Sequence, residues 1–333
     1  MSDGSSFACR VCGHQGDALS WPAQERMLGL SHAFTYRACA ACGCLQIDRV
    51  PDDLAPYYRD YYSNVAPRGL RARLVRWRDL AEAGSGHWLG ALLARRWPQQ
   101  SLRLLRPLLR DRRQHVLDIG CGEGSFLRLL QAMGFRHLTG IDPYTEAPTA
   151  SGSTPHIVRG QLDELDGSFD LVFLHHTLEH MPDQVAALRA VRARLRPGAL
   201  GVVRVPVVDG WAWRHYGPEW VQLDAPRHLY LHSRASLDLV ARQAGLVPAG
   251  WAFDSTAFQF WGSEQYRLGH ALAPPGSAGL HPKAGLFDDA QLRAWERAAH
   301  RLNEWSLGDQ VMVVLQRADD DPGTLVRRCL DGG

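Results

Sequence analysis

"VLDIGCGEGSFLRLL", residues 116–130, decides how this chain folds. Val116-Leu117-Asp118-Ile119 is an apolar run broken by one acid, the pattern of a strand buried on both faces. Gly120, Gly122 and Gly124 then form a turn whose backbone a ligand can approach without meeting a Cβ. "SFLRLLQAMG" (125–134) continues as a helix stopped by Gly134. Outward from this unit the pattern repeats. Strands are expected at "HLTGID" (137–142), "HIVRG" (156–160), "FDLVFLHH" (169–176), "ALGVVRVP" (199–206), "LVPAGWAFD" (246–254) and "DQVMVVLQR" (309–317). Helices are expected at "DQVAALRAVRARLRPG" (183–198) and "SRASLDLVARQAG" (233–245). Such alternation predicts an α/β protein with a doubly wound, mainly parallel, Rossmann-like sheet of seven strands. Residues 143–156 are rich in Pro, Ser and Gly and predict a short helix or mostly loop.

A ligand of such a sheet lies at the carboxyl ends of its strands. A nicotinamide dinucleotide would ask for G-x-G-x-x-G, but position 125 is Ser125 and the third glycine comes one place early. Asp118 and Glu123 also carry the wrong sign for a pyrophosphate. A ligand bearing an ammonium and a sulfonium suits them. Asp142 ends the second strand 22 positions after Gly120, where an acid can accept both ribose hydroxyls.

Taken together, Asp118-Ile-Gly-Cys-Gly-Glu-Gly and Asp142 resemble the class I S-adenosylmethionine-dependent methyltransferases, over about residues 113–317. The resemblance extends through "FDLVFLHHTLEHMPD" and the helix–Pro-Gly–strand "LRPGALGVVRVP". It implies that S-adenosyl-L-methionine is the cofactor. It further implies that Asp118, Gly120, Cys121, Gly122, Gly124 and Asp142 surround the cofactor and that Leu174 and His175 line its methionine part. The family often places an Asp after strand three to bind the adenine amino group. Here Gly160 is followed by Gln161, so a Gln161 side chain or the Leu162 amide is expected instead.

His176-Thr-Leu-Glu-His180 matches the inverted zinc-protease signature H-x-x-E-H. Its place directly after a buried strand argues against a protease, and Leu-Glu-His is common there in methyltransferases. The expectation is that Glu179 and His180 brace the start of the next helix, with a divalent ion as the rival reading.

Five of the seven cysteines fall between 9 and 44. Cys9-x-x-Cys12-Gly and Cys39-x-x-Cys42-Gly are two knuckles, and four thiolates complete a closed tetrahedral Zn²⁺ site. Cys44 is then a spare thiol, and neither Cys121 nor Cys329 looks catalytic. This module, followed by "PDDLAPYYRDYY" with Tyr57, Tyr58, Tyr61 and Tyr62, is similar to bacterial enzymes of deoxysugar and surface-glycan biosynthesis over residues 9–62. The resemblance implies a methyltransferase acting on a nucleotide- or lipid-linked sugar. The alternatives are an rRNA or tRNA methyltransferase that binds RNA through the module, and a non-catalytic scaffold.

The expected division is a zinc-ribbon-like module at 1–50, a Tyr- and Arg-rich helical connector at 51–112, the catalytic domain at 113–318 and a tail at 319–333. Residues 65–113 hold twelve arginines against Asp79, Glu82 and Asp111. This segment could touch a nucleotide diphosphate or a membrane surface; nucleic acid is the weaker expectation. Between the fifth strand and the next helix, "DGWAWRHYGPEWVQLDAPRHLYLHS" reads as an aromatic lid over the acceptor, with Trp220 as stacking platform and Asp224, Arg227 and His228 as polar contacts. His228 is the first candidate general base and His176 the second. With 45% hydrophobic and 22% charged residues and a net charge of +2, the chain is of ordinary globular composition. Its first residues, MSDGSSFACR, hold no signal-peptide core, so the cytoplasm is the expected compartment.

Overall fold

A computed structural model describes residues 7–58, 69–86, 88–146, 148–274 and 280–320. Tyr61, Tyr62, Cys329 and the segment after 320 lie outside the described residues. The N-terminal part holds β1 (Phe7–Ala8), β2 (Gln15–Gly16), β3 (Leu19–Gln24), β4 (Ala33–Ala38) and β5 (Leu45–Ile47). Helices α1 (Ala55–Tyr58), α2 (Gly69–Glu82), α3 (Trp88–Arg96) and α4 (Gln100–Leu105) follow. Then come β6 (His115–Ile119), α5 (Ser125–Ala132), β7 (His137–Asp142), β8 (His156–Arg159), β9 (Phe169–His175), α6 (Gln184–Arg194) and β10 (Leu195–Pro206). The chain continues with α7 (Trp211–Tyr216), β11 (Tyr230–Leu231), α8 (Arg234–Gln243), β12 (Leu246–Phe253), α9 (Phe258–Arg267), α10 (Asp289–Glu304) and β13 (Gln310–Arg317).

Seven strands form the main sheet in the order β12-β13-β10-β9-β6-β7-β8, with β13 antiparallel to both neighbours. This is the expected doubly wound architecture. Val116, Leu117, Leu171 to Leu174, Val202 and Val203 are buried because helices cover both faces of the sheet. The chain leaves β6 toward β7 and β8, then returns to β9 on the other side of β6. That reversal opens a crevice at the carboxyl ends of β6 and β9. Register places Asp118 beside Gly140 of β7 and Phe173 of β9. Residues 143–156 contain turns and no helix among the described residues, as their composition implies. The helices α9 and α10 between β12 and β13 were not anticipated. A capping signal for α10 does exist, since Asp288 accepts a hydrogen bond from the Gln291 amide at 2.7 Å.

The cysteine-rich part shares a sheet with the rest of the chain. Its order is β11-β5-β4-β3, and Tyr230 pairs with Gln46 across 184 residues of sequence. The Tyr36 hydroxyl donates to the His228 carbonyl at 2.7 Å, and the Ser233 hydroxyl donates to the Cys42 carbonyl at 2.6 Å. One hydrophobic core runs from Cys9 and Tyr36 through Leu174 to Leu231.

The segment expected to be an open lid is part of this core. Trp220 is fully buried, and its indole N–H donates to Asp309 at 3.0 Å, so it offers no face to a sugar. Arg227 is equally buried, donating to Glu25 and Asp224 and to the Tyr57 carbonyl. An aromatic-rich connector without regular alternation gave no indication of which rings face inward. Trp220, Asp224 and Arg227 therefore tie the loop to the N-terminal part rather than reach toward an acceptor.

Candidate active site at the carboxyl ends of the sheet

The turn after β6 follows from its glycines. Gly120 and Gly124 have φ of +71° and +75°, where a side chain is strained. A Cβ on Gly120 would also lie 2.4 Å from Thr177 Oγ1, and one on Gly124 would lie 2.3 Å from Ile157 Cδ1. Thr177, whose role no local pattern announces, packs under the turn and donates to the Ile119 and His175 carbonyls. Cys121 sits over Gly140, and burial pushes its thiol up, so it is an inert filler.

Two buried carboxylates meet this turn. Asp142 accepts from the Gly122 amide at 2.9 Å and from the Tyr144 amide at 2.7 Å, so it holds the turn in place. Asp118 has no cationic partner among the described residues, and burial, then the charge of Asp142, pushes its pKa up to about 8. Both features fit a cationic ligand with a diol, the chemistry of S-adenosylmethionine. Leu174 and His175 end β9 beside the crevice. His175 lies against Phe126 and Phe173, and burial, then Arg204, pushes it down to about 3. Its Nε2 is buried with no hydrogen-bond partner among the described residues. After β8, the Gln161 amide donates to Glu164 Oε2, and Leu162 begins a single 3-10 turn.

The Leu-Glu-His segment follows β9. Asp183, not Glu179 or His180, caps the next helix, accepting from the Ala186 amide at 2.8 Å. Glu179 is instead fully buried. Its Oε1 faces His176 Nδ1 at 3.3 Å and its Oε2 has no hydrogen-bond partner among the described residues. His176 Nε2 lies 2.8 Å from an Arg204 guanidinium N–H, which can only donate. Both nitrogens of His176 are thus engaged, and the second candidate base has no lone pair left for a substrate.

His228 is placed differently. Its Nδ1 donates to the Gln222 carbonyl at 2.7 Å, leaving a bare Nε2 3.9 Å from both Glu179 and Asp224. His180 repeats the pattern, with Nδ1 2.9 Å from the Arg227 carbonyl. The two rings are 4.8 Å apart. Burial, then the charge of His228, pushes His180 down to about 4, so it is neutral at pH 7. Burial alone would raise the Glu179 carboxyl, but the hydrogen bond from His176 and the adjacent imidazoles hold it down at about 2. The Glu179 carboxylate and one ring nitrogen from each of His180 and His228 lie within 4.8 Å of one another, a group that can take up a proton or a small cation. Leu-Glu-His alone reads as a brace for the next helix, with a divalent ion as the rival; the approach of His180 to His228 depends on a loop 48 residues further on. Tyr58 completes the group, with its hydroxyl 3.1 Å from His180 Nδ1 and its ring stacked 5.5 Å from Tyr144.

Away from this crevice, Cys9, Cys12, Cys39 and Cys42 form a second cluster. Sγ separations are 3.7 Å for Cys9–Cys42 and 3.6 Å for Cys12–Cys39. Disulfide sulfurs would be about 2.05 Å apart. Four thiolates at about 2.3 Å from one ion would be about 3.8 Å apart; both separations match an edge of that tetrahedron, and all four sulfurs lie within 4.8 Å of one another. The Gly13 amide donates to the Cys9 carbonyl and the Gly43 amide to the Cys39 carbonyl, both at 2.9 Å, so the two knuckles are alike. Cys44 is buried and its thiol is pushed up by burial, as expected of a spare.

Comparison with known proteins agrees with the geometry at the crevice. Residues 83–249 match the family model described as a methyltransferase domain. The ubiquinone biosynthesis O-methyltransferase of Bordetella avium is 31% identical over 194 residues, covering 48% of this chain and 78% of that protein. The tRNA U34 carboxymethyltransferase of Azotobacter vinelandii is 29% identical, covering 42% of this chain and 48% of that protein. Among solved structures, the 1,6-didemethyltoxoflavin-N1-methyltransferase of Burkholderia thailandensis with bound S-adenosylhomocysteine aligns with a TM-score of 0.42 at 18% identity, covering 84% of this chain and 97% of that one. The chain belongs to the methyltransferase-domain family and is an S-adenosylmethionine-dependent methyltransferase.

Proposed function

We propose that this methyltransferase acts on a sugar hydroxyl of a nucleotide- or lipid-linked acceptor. The observation that carries this reading is Tyr58, which brings the N-terminal part of the chain to His180 and to Tyr144, next to Asp142. It belongs to residues 9–62, which resemble glycan-linked enzymes and lie outside the matched methyltransferase domain. S-adenosyl-L-methionine supplies an electrophilic methyl group. Asp142 and Asp118 would hold its diol and its positive end, and the turn of Gly120, Cys121, Gly122 and Gly124 would leave room for it beside the backbone. Gln161 and Leu162 flank its adenine, and Leu174 and His175 its methionine part. His228 Nε2 would take the proton of the acceptor hydroxyl, with Glu179 and Asp224 stabilising the imidazolium formed; the bound sulfonium would give up its methyl to that oxygen by breaking its carbon–sulfur bond and leave as the neutral thioether.

The state of Asp118 makes the cofactor step pH-dependent. The free site binds a proton below about 8, whereas a cation beside Asp118 favours its ionised form. Cofactor uptake below that pH therefore expels a proton, and affinity rises with pH toward 8. The sign for stability is opposite. A folded value of about 8 against an unfolded one of about 3.9 means that the free protein loses stability as pH rises between them. Calorimetric titration in two buffers of different ionisation heat should find this proton release, and Asp118→Asn should lose it; the comparison removes ionisations of the ligand itself. An equal release from both proteins would place the proton elsewhere.

The four knuckle cysteines hold one Zn²⁺ in a structural role. Elemental analysis should find about one zinc per chain, lost in the Cys9→Ser, Cys12→Ser double variant. Because Tyr36 and Cys42 anchor His228 and Ser233, the variant should keep its cofactor affinity and lose turnover. Unchanged turnover without zinc would contradict that anchoring.

A further inference from the structure

Three acids in the Arg-rich segment are already spoken for: Asp79 by Arg78, buried Glu82 by Arg103, and Asp111 by Arg113. Exposed arginines including Arg71, Arg95 and Arg96 have no acidic partner among the described residues. Beside them stands an unusual amount of uncovered apolar surface. Of nine large hydrophobic side chains exposed among the described residues, four lie here: Leu70 at 68%, Trp88 at 74%, Leu92 at 58% and Trp97 at 54%.

The helix α3 explains why they are uncovered. Its buried residues are only Gly90 and Ala94, with Leu89 and Leu93 partly buried beside them, and Gly90 lies so close to α2 that a Cβ would be 2.3 Å from the Trp77 carbonyl oxygen. Trp88, Ala91 and Leu92 recur on the outer face, followed by Arg95 and Arg96. A surface helix that is apolar on both faces has a second partner. The contacts of Gly86 with Ala81 and of Gly90 with Trp77 fix an antiparallel register. Continued along the hairpin, that register sets Trp97 level with Leu70 and Arg96 level with Arg71.

We propose that the α2–α3 hairpin is a membrane-surface contact that seats the enzyme on an anionic bilayer, with Trp88, Leu92 and Trp97 entering the interface and the arginines on the lipid headgroups. Exposed tryptophan and leucine beside unpaired arginines are the composition of an interfacial helix. A second copy of this chain would set arginine against arginine. An RNA would satisfy the arginines but not Leu70 and Leu92, which have no ring to stack. Among the described residues no helix is long and apolar enough to cross a membrane, so the contact is at the surface.

The test is co-sedimentation of the full chain with vesicles, either pure phosphatidylcholine or equal parts phosphatidylcholine and phosphatidylglycerol. Binding to the anionic vesicles alone is expected, with a blue shift of tryptophan emission and weakening by salt. The pairs Trp88→Ser, Leu92→Ser and Arg95→Gln, Arg96→Gln should each weaken partition about tenfold or more. Both should keep thermal stability and cofactor affinity, because these side chains point away from the core. Equal binding to pure phosphatidylcholine overturns the proposal, as does anionic-vesicle binding that neither pair reduces. Absence of vesicle binding, with either pair instead reducing self-association or binding to RNA, also overturns it and assigns the face to that partner.

Discussion

Replacing His228 with Asn is expected to lower turnover by roughly 10²–10⁴-fold while leaving cofactor affinity unchanged. The size follows from losing a general base, and the selectivity follows from where the residue sits. His228 comes from the loop before β11, whereas the two carboxylates at the glycine turn come from β6 and β7. Asn is the informative replacement because its amide N–H can still donate to the Gln222 carbonyl, which His228 Nδ1 meets at 2.7 Å. The loop is thereby kept and only the bare Nε2 is removed. His228 is itself buried, with the ring of the partly buried His180 4.8 Å away. His180→Asn should raise KM as well as lower kcat, which distinguishes a positioning group from the base. Steady-state kinetics of both variants, alongside calorimetric cofactor titration, separate these effects. Wild-type turnover in His228→Asn would remove the residue from the reaction.

The second large effect is at Asp142. Asp142→Ala should weaken S-adenosylmethionine binding by about 3 kcal/mol or more, through loss of charge-assisted hydrogen bonds to the diol. The structure adds a second contribution, because both carboxylate oxygens already accept backbone amides, from Gly122 and Tyr144. Removing the carboxylate frees the turn on which the cofactor rests. Asp142→Asn has one acceptor oxygen where two amides ask for one each, so it should fall between Ala and the wild type. Calorimetric titration gives the order directly. An affinity for the Ala variant equal to that of the wild type would dissolve the assignment of Asp142 to the cofactor.

β6, β9, β10 and β13 were legible as apolar runs between turn residues, β7 and β8 by their place in the strand–helix alternation, and the glycine turn because few backbones demand three glycines so close. What was not legible depends on long-range contact. The pairing of Tyr230 with Gln46 merges the cysteine-rich part with the catalytic core, and nothing local announces it. The meeting of Glu179, His180 and His228 is of the same kind, since Leu-Glu-His reads the same whether it braces a helix or faces a distant loop. Trp220 illustrates the converse: its composition and place suggested an open platform, but the hydrogen bond to Asp309 and complete burial make it a core residue. α10 went unread although Leu292, Trp295, Ala299 and Leu302 recur at helical spacing, and its cap, Asp288, is an ordinary one.

The proposed reaction stands or falls on one assay: transfer of labelled methyl from S-adenosylmethionine to a panel of nucleotide sugars, lipid-linked oligosaccharides and rRNA. The expected result is label in a sugar acceptor, stable to moderate salt and lost in His228→Asn. Label in rRNA alone, falling steeply as salt rises, would contradict the sugar reading and assign this methyltransferase to nucleic acid.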